Sequence, residues 1–168
     1  MATTSYAVNA RDNTFTQWAR TGASPYLDAE DYNTNYVYET SSTAAQYEGD
    51  FSFPDSGAEN LNVLNSVTLR VKGFKVDDFE TLVLFRVYIY NGVDWTNYKT
   101  MVLPYANGFV TADITDVIDS WAKIDSCKIR LYARNFLATN RINIDYAELV
   151  ADYTVEGAGE TTMRIQIM

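Results

Sequence analysis

The stretch "TLVLFRVYIYNGVDW", residues 81–95, decides the fold class. Val83, Phe85, Val87 and Ile89 form one alternating set, and Leu84, Arg86, Tyr88 and Tyr90 form the other. A period of two belongs to a strand, whose successive side chains point to opposite faces of a sheet. The run ends at Asn91-Gly92, a dipeptide that favours the positive φ of a tight hairpin turn. "WTNYKTMVL" is then the returning strand. Pro104 closes it, because proline has no N–H to give to a ladder. "YANGF" supplies a further turn at Asn107-Gly108.

The same period spreads outward. "SVTLRV" sets Val67, Leu69 and Val71 against Thr68 and Arg70. "CKIRLYA" and "INIDYAELV" alternate too, the latter with Ile142, Ile144 and Tyr146 expected on one face. "NYVYET" and "YEGDFSF" read as two strands, and "PDSGAEN" as a loop. One segment departs: in "DITDVIDSWAKI", Ile114, Val117, Ile118 and Trp121 recur at helical spacing. This gives a short helix over about 113–122, capped by Asp113 or Thr115. About eight short strands, with turn signals every ~8–12 residues, indicate an all-β jelly-roll β-sandwich. It would span residues 21–153, with residues 1–20 as an arm or first strand and 154–168 as a C-terminal arm or extra strand.

Composition agrees. The chain has 168 residues, enough for one domain with a core, and 13 tyrosines, a residue suited both to strands and to binding surfaces. The net charge is −9, with 13 basic residues scattered among 22 acidic ones. That argues against nucleic acid or an anionic membrane as partner, since both demand clustered Lys and Arg. No run approaches the roughly 20 apolar residues of a membrane span. The N-terminus has neither the basic start nor the apolar run of a signal peptide.

Four segments carry a family resemblance: "PYLDAEDYNTNYVYETSSTAAQYEGDFSF", "VYIYNGVDW", "ADITDVIDSWAKIDSCKIRLYA" and "INIDYAELVADY". Over roughly residues 25–153 the chain resembles the small jelly-roll modules, similar to carbohydrate-binding modules, found in phage and archaeal-virus structural proteins. The resemblance implies a sandwich with a binding or structural role. It implies no particular ligand and no catalytic residue.

The residues themselves leave little room for catalysis. Histidine is absent, which removes Ser-His-Asp and Cys-His chemistry and the commonest zinc ligand. The single cysteine, Cys127, falls in register with Ile129 and Leu131 and reads as a small buried hydrophobe. The clusters Asp28, Glu30, Asp31 and Asp77, Asp78, Glu80 look like turns. A structural calcium near Asp28 and Asp31 is the one cofactor alternative, and a carboxylate pair for glycoside hydrolysis is the one catalytic alternative. Otherwise no cofactor and no metal is expected.

The strand faces say more. Opposite the core residues stand Arg86, Tyr88, Tyr90, Arg130, Tyr132, Arg134, Arg141, Asn143 and Asp145, with Trp95 at the rim after the turn. Tyr and Arg are enriched at protein interfaces, while Tyr and Trp also stack on sugar rings. The face is therefore an interface, a sugar platform, or a half-exposed sheet surface. The tail carries Met163, Ile165 and Ile167 on a β-like stretch behind Gly157-Ala158-Gly159, whose apolar residues suit an intersubunit arm added by strand pairing or a strand returning to its own sheet better than they suit disorder. The leading expectation is a non-enzymatic virion structural protein, made in the host cytoplasm. It would sit on a capsid surface as a decoration protein, form a homo-oligomer through its sheet face and terminal arms, and contact the viral capsid or other virion proteins. The runner-up is a carbohydrate-binding module that recognises host glycans through a Tyr and Trp platform.

Overall fold

A computed structural model describes residues 1–21, 27, 36–38, 45–76, 83–95, 97–135 and 141–156. Its strands are β1 (Ala2–Ala7), β2 (Ala10–Thr16), β3 (Ala19–Thr21), β4 (Tyr36–Tyr38), β5 (Ala45–Ser52) and β6 (Val63–Val76). They continue as β7 (Val83–Tyr90), β8 (Asn97–Met101), β9 (Gly108–Asp113), β10 (Lys128–Asn135) and β11 (Arg141–Thr154). A short helix, α1 (Trp121–Ser126), lies between β9 and β10.

The pairing is that of a long hairpin folded over on itself. β4 pairs with β11, β5 with β10, β6 with β9 and β7 with β8, all antiparallel. The two further pairs, β11 with β6 and β10 with β7, complete one sheet ordered β3-β4-β11-β6-β9 and another ordered β2-β5-β10-β7-β8. Successive strands from β4 onward thus fall two by two into opposite sheets, the winding of a jelly roll. The all-β sandwich expected from alternation is the fold observed. We call the two layers the β11 sheet and the β10 sheet.

The core lies where the apolar sets of both layers meet. Val67, Leu69 and Val71 of β6 and Ile142, Ile144, Ala147, Leu149 and Ala151 of β11 face Phe85, Val87 and Ile89 of β7 and Ile129 and Leu131 of β10, all buried. Cys127 is buried beside them, and burial pushes its thiol up to about 12, so it stays protonated and inert.

Three local expectations are corrected. Tyr146 does not share a face with Ile142 and Ile144. The register of β11 shifts between Ile144 and Tyr146, and this bulge turns Tyr146 outward against Phe109 while Ala147 takes the inward place. β6 meets the bulge with Gly73, where a Cβ would stand 2.2 Å from the Asn143 carbonyl oxygen, so only glycine lets the strands approach. The helix, too, begins later than expected. The Ile114 N–H is still held by the Val67 carbonyl at 2.9 Å, and Asp113 accepts from the Thr115 N–H at 2.9 Å. Ile114, Val117 and Ile118 therefore make one buried turn, and regular helix starts only at Trp121. Finally, Asn107-Gly108 is no hairpin turn: it leads from β8 in one sheet to β9 in the other.

Residues 2–21 build into both layers, β1 against β11, β2 against β5 and β3 against β4. A charged knot fastens them. Glu48 of β5 points inward and is fully buried; its Oε1 lies 2.5 Å from Arg11 Nη2 and 3.4 Å from Arg20 Nε. Its Oε2 accepts the Trp18 N–H at 3.2 Å. Met163, Ile165 and Ile167 lie outside the described residues, as do Asp28, Glu30, Asp31, Asp77, Asp78 and Glu80. Among the described residues no helix is long and apolar enough to cross a membrane.

Candidate functional site

The outer face of the β10 sheet is where aromatic and cationic side chains converge. Strand register decides which ones. Tyr132 stands opposite Tyr47 on one side and Arg86 on the other, and Tyr88 stands between Arg130 and Tyr98. Side chains directly opposite on one face are close enough to touch. The result is a row of rings across the strands. Phe15 and Tyr47 are 5.5 Å apart, Tyr47 and Tyr132 5.0 Å, Tyr132 and Tyr88 6.0 Å, and Tyr88 and Tyr98 5.3 Å. Five strands at ~4.8 Å spacing make this row about 19 Å long. Within the row Tyr132 is buried, Tyr47 and Tyr88 are half-buried, as is the neighbouring Tyr90, and Tyr98 is 45% exposed. Loss of hydration pushes the Tyr47 phenol above its ordinary value, and the neighbouring Tyr88 and Tyr132 phenols push the same way.

Two arginines punctuate the row, in different states. Arg130 is closed. Its Nε and Nη2 donate to the Asp50 carboxylate at 2.7 and 3.1 Å, and its guanidinium is sandwiched 4.2 Å from the Phe15 ring and 4.0 Å from Trp95. Trp95 packs in turn on Tyr90 at 5.3 Å. Its position is set by the loop at Asn91, whose Oδ1 accepts the N–H groups of Val93 and Asp94, with Gly92 at φ +92°. Arg86 is open. Its guanidinium lies 4.5 Å over Tyr98 and 5.9 Å from Tyr132, and its buried Nε has no hydrogen-bond partner.

Arg86, Tyr88, Tyr90, Trp95, Arg130, Tyr132 and Arg134 are thus brought to one region, while Arg141, Asn143 and Asp145 belong to β11 in the other sheet. There Arg141 stacks on Tyr38 at 5.2 Å and Asp145 accepts from Asn107 at 3.0 Å. Alternation separates inward from outward but does not say which sheet a strand joins, so the sequence merged two faces into one. It also missed Phe15, Tyr47 and Tyr98. The signal for Tyr47 was present in "YEGDFSF", where it alternates with the inward Glu48.

The carboxylates bordering the face are engaged. Asp50 holds Arg130, and Asp12 accepts the Asp50 N–H at 3.0 Å with Lys128 3.9 Å away. Among the described residues no group of three or more Asp, Glu, Cys or His side chains is arranged to hold a metal. A concavity of about 380 Å³ lies apart from this face, beyond the end of β8, lined by Lys75, Val102, Leu103, Pro104, Tyr105 and Phe109 among others. Lys75 there caps the Tyr105 ring at 4.5 Å.

No family model matches the sequence, and no curated protein matches it either. Among solved structures the chain is similar to a xylan-binding module, CBM15, at 9% identity and a TM-score of 0.41, over 89% of this chain and 95% of that one.

Proposed function

We propose that this protein is a non-enzymatic binding module that takes up a glycan chain along the outer face of the β10 sheet. One observation carries the reading: the row Phe15, Tyr47, Tyr132, Tyr88, Tyr98 runs unbroken across the sheet with arginines set into it. Sugar rings present apolar C–H faces and a rim of hydroxyls. Phenol rings meet the first, and Tyr hydroxyls and Arg donors meet the second. An elongated row suits a chain better than a single sugar. Among the described residues, the border carboxylates Asp50 and Asp12 lie in ion pairs with Arg130 and Lys128 rather than facing each other as a catalytic pair.

Affinity electrophoresis in gels cast with soluble polysaccharides tests this. The protein should be retarded by at least one polymer. Tyr88→Ala, at the centre of the row, should weaken that retardation by about tenfold, the scale of one lost aromatic contact. Val93→Ala, on an exposed residue of the loop beyond the row, should leave it unchanged. Equal retardation of Tyr88→Ala and the parent protein would remove the face from the account.

A second reading has its own support. Leu61, Val63 and Val155 are 76%, 49% and 45% exposed, and register places Val63 opposite Thr154, next to Val155. An apolar edge of this kind, beside the point where the chain continues into 157–168, suits the intersubunit contact of a capsid-surface protein. Light scattering on a sizing column, comparing the full chain with one ending at Thr154, separates the two. A drop in mass on truncation supports the assembly reading, and equal monomers sink it.

A further inference from the structure

We propose that the glycan is acidic, a uronate-containing polysaccharide whose carboxylate is received by Arg86. The inference rests on the glycan reading above and adds the ligand's charge and the residue that selects it.

The first observation is the sign of the face. The protein carries a net charge of −9. Yet among the described residues the outward side of the β10 sheet carries Arg86, Arg130 and Lys128 against the carboxylates of Asp12 and Asp50, with Arg134 engaged in an interaction of its own. Asp50 is committed to Arg130, and Asp12 accepts the Asp50 N–H at 3.0 Å and lies 3.9 Å from Lys128. An acidic protein that concentrates cations among its aromatic residues has a local field suited to an anion.

The second observation is Arg86 itself. No carboxylate partners it among the described residues. Across the strands it stands opposite Tyr132 and Thr100, neither of which carries a charge. Its guanidinium rests against Tyr98 and Tyr132, and its buried Nε is unsatisfied. Stacking occupies the flat face of a guanidinium and leaves its N–H edge unused. That edge is a planar fork, and its natural complement is the pair of coplanar oxygens of a carboxylate, bound in a bidentate manner. Arg130 and Asp50 display such a two-point contact on the same face through Nε and Nη2; at Arg86, whose Nε is buried, the carboxylate would meet the Nη1–Nη2 end of the fork. A sugar ring seated on Tyr88 or Tyr98 would carry its carboxylate toward Arg86, since Tyr98 lies beside both.

The test uses one backbone with and without its charge. Polygalacturonate and its fully methyl-esterified form share the sugar chain and differ in the carboxylate. Titration calorimetry of the full chain should give binding to the acid and roughly tenfold to a hundredfold weaker binding to the ester, the scale of a charge-assisted contact. Arg86→Lys keeps the charge and removes the fork, so it should lose most of the preference for the acid. Its melting temperature reports separately whether the variant is folded. Equal binding of acid and ester overturns the proposal and leaves the glycan reading standing. Binding to a neutral polysaccharide alone does the same. A sulfated polymer preferred over polygalacturonate overturns the carboxylate assignment. Absence of binding to every polysaccharide, neutral or acidic, overturns both readings together.

Discussion

The two outer faces of the sandwich are assembled from the same parts and finished differently. On the β11 sheet, Arg70 lies 4.1 Å over Phe109, Lys72 5.4 Å from the same ring, and Tyr146 meets that ring edge-on at 6.1 Å. Glu148 then closes the set. One of its oxygens takes the Arg70 guanidinium and the other accepts the Tyr146 hydroxyl at 3.0 Å. On the β10 sheet, Arg86 lies over Tyr98 in the same manner, and among the described residues no carboxylate closes it. Register explains the difference. Arg70 stands opposite Glu148, whereas Arg86 stands opposite Tyr132 and Thr100. An arginine on a ring is a fastening when the neighbouring strand offers a carboxylate. Without one, its N–H groups keep hydrogen-bonding capacity, and that capacity is what the proposed acidic glycan uses.

That contrast can be broken most directly at the two arginines. Arg70→Gln leaves Glu148 as a nearly buried carboxylate without its cation, and should cost about 1–3 kcal/mol of stability in urea denaturation. Arg86→Gln removes no ion pair among the described residues, only the stacking on Tyr98 and Tyr132, and should cost less, about 0.5–1 kcal/mol. Equal losses at both positions would mean that Arg86 is a structural fastening too, and the distinction between the faces would fall.

The rings sharpen the same contrast with a smaller effect. Tyr88 touches Tyr47, Tyr98 and Tyr132, while Phe109 touches Tyr146 and two cations. Replacing either by Ala should lower stability by about 1–3 kcal/mol through lost ring packing. Only Tyr88→Ala should also lower polysaccharide retardation. A matching loss of retardation in Phe109→Ala would show that the β11 sheet takes part in binding.

How far the sequence could have anticipated this contrast depends on what alternation encodes. Alternation reports inward and outward, so the buried sets of β6, β7 and β10, and with them the sandwich, were legible. It is blind to a bulge, which is a backbone event at Asp145 without a side-chain signature, and so Tyr146 was placed on the wrong face. It is blind to sheet membership, so Arg141, Asn143 and Asp145 were grouped with a face they do not share. It also misreads a buried charge. Glu48 looks like a polar outward residue, and the approach of Arg11, Arg20 and the Trp18 N–H from a stretch far away in sequence makes its burial tolerable. Arg86 and Tyr88 were legible as candidates because both lie on one strong strand. Their distinction from Arg70, a matter of the strand next door, was not.

The smallest effects lie in the pH dependence, where the two sheets should respond in opposite senses. In the β10 sheet, burial raises the Glu48 carboxyl above its ordinary 4.5, outweighing the pull of Arg11, the Trp18 N–H and Arg20. A raised folded value means that the folded state keeps a proton the unfolded chain has released. Its contribution to stability is complete below 4.5 and is lost as pH rises through the raised folded value. Glu48→Gln cannot titrate, so the stability of the parent relative to this variant should fall between acidic and neutral pH. At the edge of the β11 sheet the sign reverses. Asp113 is held below its ordinary 3.8 by hydrogen bonds from the Thr115 hydroxyl and N–H, at 2.6 and 2.9 Å. Its contribution is present above 3.8 and disappears as pH falls through the depressed folded value. Solvent screens this exposed group, so Asp113→Asn should differ from the parent only slightly, with the difference shrinking toward acid. Urea midpoints of the parent and both variants, measured across the acidic range, read the two slopes together. Slopes of the same sign would show that Arg11 and Arg20 hold Glu48 ionised, and that the charged knot behaves as an ordinary surface ion pair despite its burial.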